Sequence, residues 1–244
     1  MKIIQDSIGD EEACVYLSDQ RARMHYRAIE HCTSEAYMRM LQRGWRRFGR
    51  VFFRPVCEAC EECRSLRIPV DDFRPNRSMR RAWKANEDLG VHLRRPSMTD
   101  QHLKLYGRYH ADMAERKAWR EKEVAPFEYY YTFVDAQGEF GHELLFVDPE
   151  HRLLGVALVD ILPKAISAVY CFYEPLERHR SLGVYSVLRQ IELAKQRGIS
   201  HLYLGYWVEP NASMSYKARY RPHELLTARC EDDTEPDWRP PLRP

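Results

Sequence analysis

Long apolar runs are missing from this chain of 244 residues. No window approaches the ~18 to 20 consecutive apolar residues that a membrane-spanning helix needs, and residues 1–10 lack the apolar core of a signal peptide. We therefore expect a cytoplasmic protein without a membrane partner. Hydrophobic residues make up 44% of the chain and charged residues 30%, a composition that is typical of a folded globular protein and excludes disorder for the whole.

Internal repeats, low-complexity tracts and long Gly/Ser linkers are also missing. The sequence has no phosphate-binding loop of the form G-x-x-x-x-G-K-[ST]. Its length suits one large domain or two small ones. Residues 231–244 are acidic and then rich in proline, and they are predicted to form a flexible tail.

Charge is unevenly distributed along the chain. The formal net charge is only +2, but residues 39–84 hold thirteen Lys or Arg and five acids, so that segment carries 13 − 5 = +8 and the remainder 2 − 8 = −6. A basic segment of this size attracts polyanions through counterion release, and the planar arginine side chain suits phosphate. The segment indicates a nucleic-acid partner; the alternative is a solvated face whose charges pair with acids elsewhere.

Cysteine is used in a way that does not fit a disulfide framework. Seven cysteines are an odd number, and three of them are spaced as Cys57-x-x-Cys60-x-x-Cys63. This spacing is typical of an iron–sulfur or zinc site, and it favours a reducing compartment. The alternative is a compact turn that carries reduced thiols.

Helical spacing and capping residues predict the elements of the basic half. A helix is expected from Thr33 or Ser34 to near Gly49. Short strands over 51–54 and 66–70 flank the cysteine loop. A basic helix then runs from Asn76 or Ser78 to Gly90, and an amphipathic helix begins at Thr99.

The C-terminal half predicts three strands, a helix and one more strand. HELLFVD, LLGVALVDIL and AISAVYCFYEP are separated by turn signals, and the helix LGVYSVLRQIELAKQ is followed by ISHLYLGYW. This β-β-β-α-β order, with Arg180 and Gly183 opening the helix, resembles the GCN5-related acyltransferase (GNAT) fold. Acetyl-coenzyme A users of that fold carry a second small residue where this chain has Tyr185.

Two longer segments resemble the aminoacyl-tRNA–protein transferases. The first is FRPVCEACEECRSLRIPVDDFRPNRSMRR, and the second is SLGVYSVLRQIELAKQRGISHLYLGYW with Met214, Tyr216, Lys217, Tyr220 and Pro222 after it. The similarity extends from about residue 14 to residue 226. It implies an α+β protein, with a smaller Cys-containing domain over 1–90, a GNAT-like transferase domain over 91–230 and the tail over 231–244.

The resemblance implies transfer of an amino acid from the 3′ end of tRNA to the α-amine of a protein. The short, bacterial-type sequence favours leucine from leucyl-tRNA, delivered to an N-terminal Asp or Glu in the N-end rule degradation pathway; arginyl transfer to the same acceptors is the alternative. An ester becomes an amide, so the transfer requires no nucleotide triphosphate and no cofactor. An iron–sulfur cluster or zinc at the cysteine loop, with Cys14 as the fourth ligand, is implied by the family.

Candidate site residues follow from the matched motifs. Tyr206 and Lys217 are the catalytic candidates, with oxyanion donors expected near the end of the strand at Tyr206. The substrate-binding candidates are Arg67, Arg180, Gly183, Tyr216 and Tyr220, the cations among them being suited to an acidic acceptor. The tRNA-binding candidates are Arg74, Arg77, Arg80, Arg81 and Lys84, with Arg46 and Arg47 from the preceding helix.

The sequence is also compatible with two other functions. One is an acetyltransferase that uses acetyl-coenzyme A, which the strand order favours and Tyr185 disfavours. The other is a non-catalytic RNA-binding module, which accounts for residues 39–84 and leaves the C-terminal half without a role. No arrangement of histidines with Ser or Cys indicates a catalytic triad.

Overall fold

The computed structural model describes residues 1–117, 119, 123–135 and 138–241. The strands are β1 (Lys2–Ile8), β2 (Glu12–Ala13), β3 (Arg21–Ala22), β4 (Met24–His31), β5 (Arg46–Phe48), β6 (Val51–Pro55), β7 (Arg64–Pro69), β8 (Gly90–Arg94), β9 (Gly141–Val147), β10 (Leu153–Leu162), β11 (Ala165–Tyr173), β12 (His201–Trp207), β13 (Glu224–Leu226) and β14 (Trp238–Arg239). The α-helices are α1 (Ser34–Gln42), α2 (Arg77–Lys84), α3 (Asp100–Lys117), α4 (Pro126–Tyr129), α5 (Leu182–Gln196) and α6 (Ala212–Ser215).

A large sheet organises the molecule, in the order β14-β13-β7-β12-β11-β10-β9-β8. Its neighbours are antiparallel except β11 and β12, which pair in parallel over 165–167 and 201–203. The sequence β9-β10-β11-α5-β12 confirms the predicted β-β-β-α-β order, and the mixed composition of helices and strands confirms the α+β class. A smaller sheet, in the order β1-β4-β6-β5, comes from the N-terminal residues.

Side chains that alternate along β10 bury both faces of the large sheet, since successive residues of a strand point to opposite sides. Ala157 and Val159 belong to the core that α2 and α5 cover, whereas Val156 and Leu158 pack with α3. No helix in the described part of the chain has both the length and the apolar character to cross a membrane.

Helix α1 ends earlier than the sequence predicts. Thr33 caps it as expected, accepting a hydrogen bond from the Ala36 N–H at 3.2 Å. The helix stops at Gln42 because Gly44 adopts a φ of +83° and the Trp45 N–H turns back to the Met40 carbonyl at 3.1 Å, a glycine-terminated helix end. Residues 46–48 form strand β5 instead, so the predicted helix to Gly49 is wrong.

The basic helix α2 begins where the sequence places it. The Asn76 side chain accepts from the Met79 N–H at 3.0 Å, and the helix ends at Lys84 rather than at Gly90. Helix α3 also begins as predicted, one residue after Thr99.

Strand β7 lies between β12 and β13 in the large sheet. The segments predicted as domains over 1–90 and 91–230 therefore share this sheet. Residues 231–241, predicted as part of a flexible tail, return to the protein: Glu231 pairs with Arg54, and the Trp238 indole N–H donates to the Gln42 carbonyl at 3.0 Å. Residues 242–244 lie outside the described part of the tail.

Candidate active site

A cavity of about 800 Å³ opens between the small sheet, the cysteine loop and the end of β12. Apolar side chains from several segments line it, among them Leu17, Met24 and Leu226. Tyr206 and Cys63 line it as well. Apolar, charged and thiol side chains therefore share the wall of this cavity.

Tyr206 joins the two sheets at this cavity. The residue is 7% exposed, and its hydroxyl is 2.9 Å from the Gly44 carbonyl oxygen and 3.2 Å from that of Phe53. A hydroxyl can donate only one hydrogen bond, and here the Tyr206 hydroxyl donates to a backbone carbonyl of the N-terminal segment. In this arrangement Tyr206 positions the wall of the cavity.

Lys217 lies directly behind that wall. It belongs to a 3₁₀ turn over Tyr216–Arg219, it is 8% exposed, and its Nζ donates to the Tyr206 carbonyl oxygen at 2.5 Å. Burial is the main cause that lowers the pKa of the Lys217 ammonium to about 7; the charge of Arg46 acts in the same direction, and Cys63 opposes the shift. The amine therefore changes charge near neutral pH.

Arg46 is a second buried cation in the same region. Its Nη2 donates to the Ala168 carbonyl of β11. Gly205 of β12 has a φ of +81°, and a side chain at this position would place its Cβ 3.5 Å from the Arg46 guanidinium. The Arg46 Nη1 is buried and has no hydrogen-bond partner among the residues that the structure describes. In the described part of the chain, neither Arg46 nor Lys217 has a carboxylate partner. Arg46 therefore leaves positive charge behind the cavity wall, and Lys217 adds to it when its amine is protonated.

Two predicted substrate-binding arginines are occupied by ion pairs. Arg67 pairs with Glu224 at 2.6 Å and donates to the Tyr203 hydroxyl at 3.1 Å. Arg180 pairs with Asp88 at 2.8 Å and with Glu177 at 3.1 Å. Neither of these arginines lines the cavity.

The remaining substrate-binding candidates lie on the other side of β12. A Cβ at Gly183 would come within 3.3 Å of the Tyr173 ring, so glycine permits the close packing of α5 there. Tyr220 is 2% exposed and packs near Phe73, whereas Tyr216 is 41% exposed. Like the two arginines, these three residues do not line the cavity.

The predicted tRNA-binding residues share one surface. Arg74, Arg77, Arg80, Arg81 and Lys84 are all exposed. Met79 and Ala82 on the opposite side of α2 are buried. Arg46 and Arg47 do not join this surface, because β5 directs them inward, where Arg47 forms a buried ion pair with Asp160.

The four predicted metal ligands lie around the same cavity. Cys14, Cys57, Cys60 and Cys63 all line it, and burial together with the three neighbouring thiols raises the pKa of the Cys63 thiol to about 12. No three or more His, Cys, Asp or Glu side chains within the described ranges are arranged to hold a metal ion. The four thiols lie around one cavity, but their arrangement does not form a metal-binding site, so we assign no reaction step to a metal.

Two family models match the chain. The model described as arginine-tRNA-protein transferase, N terminus, covers residues 12–81, and the model for the C terminus covers residues 101–227. The chain belongs to this family. The similarity to aminoacyl-tRNA–protein transferases that the two motif segments indicate is confirmed.

Other members of the arginine-tRNA-protein transferase family are similar over almost their full length. An aspartate/glutamate leucyltransferase of Campylobacter jejuni is 44% identical, covering 88% of this chain and 90% of that protein. The enzymes of the same name from Helicobacter hepaticus and Halorhodospira halophila are 38% and 39% identical, and the alignments cover 90% and 91% of those proteins.

Solved structures resemble this transferase only distantly. L-PGS from Bacillus licheniformis gives a TM-score of 0.41 at 14% identity, covering 64% of this chain and 50% of that one. FemX gives 0.43 at 12% identity, covering 75% and 63%. At these values the similarities do not assign the chain to a fold family.

Sequence reasoning missed the arginines that line the cavity, and Arg64 is one of them. It starts β7, and it lines the cavity beside Cys63. Leu66 and Ile68 follow it at alternating positions and are fully buried. The sequence signal that could have identified Arg64 as a site residue is its position at the end of this row of buried apolar residues.

Proposed function

We propose that this enzyme transfers leucine from leucyl-tRNA to the N-terminal Asp or Glu of acceptor proteins. The observation that carries the proposal is the 44% identity, over 90% of its length, to a relative named aspartate/glutamate leucyltransferase. The exposed basic surface of α2 supports a tRNA donor. Proteins modified in this way would enter the N-end rule degradation pathway in the cytoplasm, where charged tRNA is available.

The transfer makes only a modest demand on a general base of the protein. The acceptor α-amine attacks the ester carbonyl carbon, a C–N bond forms, the C–O bond to the ribose breaks, and the amine proton passes to the ribose oxygen. The reference pKa of an α-amine is ~7.7 to 8.0, so an appreciable fraction is neutral near pH 7. Positioning of amine and ester then supplies most of the rate.

We place this reaction in the cavity beside Tyr206. Tyr206 holds the wall through its contacts with the small sheet. Lys217 fixes the Tyr206 carbonyl and adds positive charge behind the wall, where an anionic tetrahedral intermediate would benefit. Both are positioning residues in the geometry described.

The GNAT relationship is part of the same proposal. The β-β-β-α-β order supports it, as does the short parallel pairing of β11 with β12. Beyond this pairing, Arg46 donates to the Ala168 carbonyl of β11 and lies beside Gly205 of β12. The start of α5 does not favour coenzyme A: Tyr185 is buried against Trp83 of α2, and the Asn86 amide donates to the Arg180 carbonyl. Helix α2 therefore covers the turn where the acetyltransferases bind pyrophosphate.

Arginyl transfer is the second candidate, because acidic side chains also line the cavity. Asp10, Glu12, Glu61 and Glu62 are among them, and an arginyl side chain would pair with carboxylates. Incubation of the protein with leucyl- or arginyl-tRNA and peptides beginning with Asp, Glu, Lys or Arg tests both. We expect leucine on the Asp and Glu peptides alone; arginine on these peptides would support the second candidate, and no transfer would refute both.

We expect the α2 surface to control affinity for the donor. Replacing Arg77, Arg80 and Arg81 by Glu should raise KM for leucyl-tRNA at least ~10-fold and weaken its salt dependence, because phosphate contacts are lost. KM for the acceptor peptide should change little. A control with the same charge change, K164E/K195E/R197E at exposed positions, should keep the donor KM; an unchanged donor KM in the α2 variant would contradict the assignment.

We also propose that the cysteine loop binds a metal, on the basis of the cysteine spacing and the family resemblance. Elemental analysis and an absorption spectrum of anaerobically purified protein measure it directly. Stoichiometric iron or zinc that C60S/C63S removes is the expected result. Protein without metal would mean that these cysteines are reduced thiols.

A further inference from the structure

Arginines are prominent in the wall of the cavity. In the described part of the chain they are Arg21, Arg43, Arg54, Arg64 and Arg229. Four of them already have partners for their guanidinium groups. Arg21 pairs with Glu11, Arg43 donates to the Arg39 and Glu231 carbonyls, Arg54 pairs with Glu231, and Arg229 donates to the Cys57 carbonyl.

Arg64 differs from the other four. Its guanidinium carbon lies 4.8 Å from the centre of the Trp207 ring, because the antiparallel register of β7 and β12 places these two residues opposite each other. Its side chain makes no hydrogen bond or ion pair with any residue that the structure describes. The residue is half-buried.

This arrangement suits a carboxylate ligand. A guanidinium that lies over an indole ring is attracted to the ring face, and its N–H groups remain available to a ligand. A carboxylate can accept two parallel hydrogen bonds from those groups, and such bonds are among the stronger ones in proteins. Lys217 and Arg46, which donate to backbone carbonyls instead of carboxylates, add a field of the same sign.

We propose that Arg64 binds the side-chain carboxylate of the acceptor's N-terminal Asp or Glu. This assignment rests on the proposed function and adds to it the group that reads the acceptor residue. An N-terminal Asn or Gln has nearly the same shape but no charge, so Arg64 would account for discrimination between acid and amide.

Steady-state kinetics with leucyl-tRNA and peptides that differ only in an N-terminal Asp or Asn test the assignment. In R64M we expect KM for the Asp peptide to rise about 10- to 100-fold, which corresponds to the loss of a charge-assisted hydrogen bond. The preference for Asp over Asn should largely disappear. KM for leucyl-tRNA and kcat at saturating acceptor should stay within about threefold.

Two further variants separate recognition from folding. R64K keeps the charge and loses the planar fork, so it should raise the acceptor KM less and keep a preference for Asp. Arg189 also lies over a tryptophan, with its guanidinium carbon 5.2 Å from the Trp83 ring centre, but it pairs with Glu192 at 2.9 Å and lies outside the cavity. R189M should therefore leave the acceptor KM unchanged.

The outcomes are distinguishable. A preference for Asp that R64M retains at its original size would overturn the assignment and leave the proposed function intact. A rise in acceptor KM in R189M equal to that in R64M would also overturn it. Absence of transfer by the unaltered protein would overturn the proposed function and this assignment together.

Discussion

Replacing Lys217 by Met is expected to stabilise the fold at neutral pH and to lower leucyl transfer about 100-fold. Burial holds the pKa of this ammonium at about 7, whereas the unfolded chain keeps its reference value of 10.5. The unfolded state therefore binds more protons between these values, so Lys217 makes the free energy of unfolding rise with pH over that window. At pH 7 its removal should gain about 2 to 4 kcal/mol, less the lost hydrogen bond. The transfer rate falls because the Tyr206 carbonyl loses its fixed partner.

Chemical denaturation of both proteins at pH 7 and pH 9 measures the effect. Burial also raises the pKa of several cysteine and tyrosine side chains, so these groups add a pH dependence of their own. They are shared by the two proteins, and their contribution cancels in the difference. The exposed Lys164 supplies the control, since K164M should keep the pH slope of the unaltered protein. If K217M keeps the same pH slope as the unaltered protein, the amine is not buried as described.

Replacing Asp160 by Asn should destabilise the fold by about 3 to 5 kcal/mol and lower Tm by roughly 6 to 20 °C. Asp160 and Arg47 are each 1% exposed. The Arg47 Nε donates to a carboxylate oxygen at 3.0 Å, and its Nη1 donates to the Gly49 carbonyl at 2.9 Å. Without the carboxylate, the buried guanidinium loses the ion pair and the hydrogen bonds to Asp160 that offset the cost of burying its charge.

Matched variants isolate the buried charge as the cause. The Arg21–Glu11 pair is 59% and 48% exposed, so E11Q should change stability by no more than about 1 kcal/mol. The double variant R47M/D160L, which removes both charges, should recover most of the stability lost in D160N. A D160N protein as stable as E11Q would contradict the pairing.

The C-terminal half was predictable because local signals agree there. Three runs of β-branched and aromatic residues end at turn residues, and α5 ends before Gly198, which adopts a φ of +64°. Each of these signals acts within a few residues. The β-β-β-α-β order could therefore be obtained without knowledge of tertiary contacts.

The N-terminal half was less predictable because its decisive contacts are distant in sequence. Arg46 and Arg47 follow the helical spacing of the residues before them, and only the left-handed turn at Gly44 places them on a strand. The partner of Arg47 is 113 positions away. Strand β1 is mostly exposed, so it lacks the apolar alternation that would predict it.

The candidate site shows the same division. Motif resemblance located Tyr206 and Lys217, and the charge run located the exposed face of α2. The motif resemblance could not distinguish the role of Arg64 from that of Arg67, since both residues belong to one strand in one motif. Their difference depends on which side chains the neighbouring strands place opposite them: Trp207 faces Arg64, and Glu224 pairs with Arg67.

The position of β7 has a consequence for how the chain acquires its structure. This strand emerges early from the ribosome, yet both of its hydrogen-bonded neighbours, β12 and β13, are made only near the end of synthesis. Its backbone edges must wait for most of the polypeptide, and pairing over such separations is slow. Nascent chains that stop short of residue 226 should consequently expose β7 to chaperones or to aggregation.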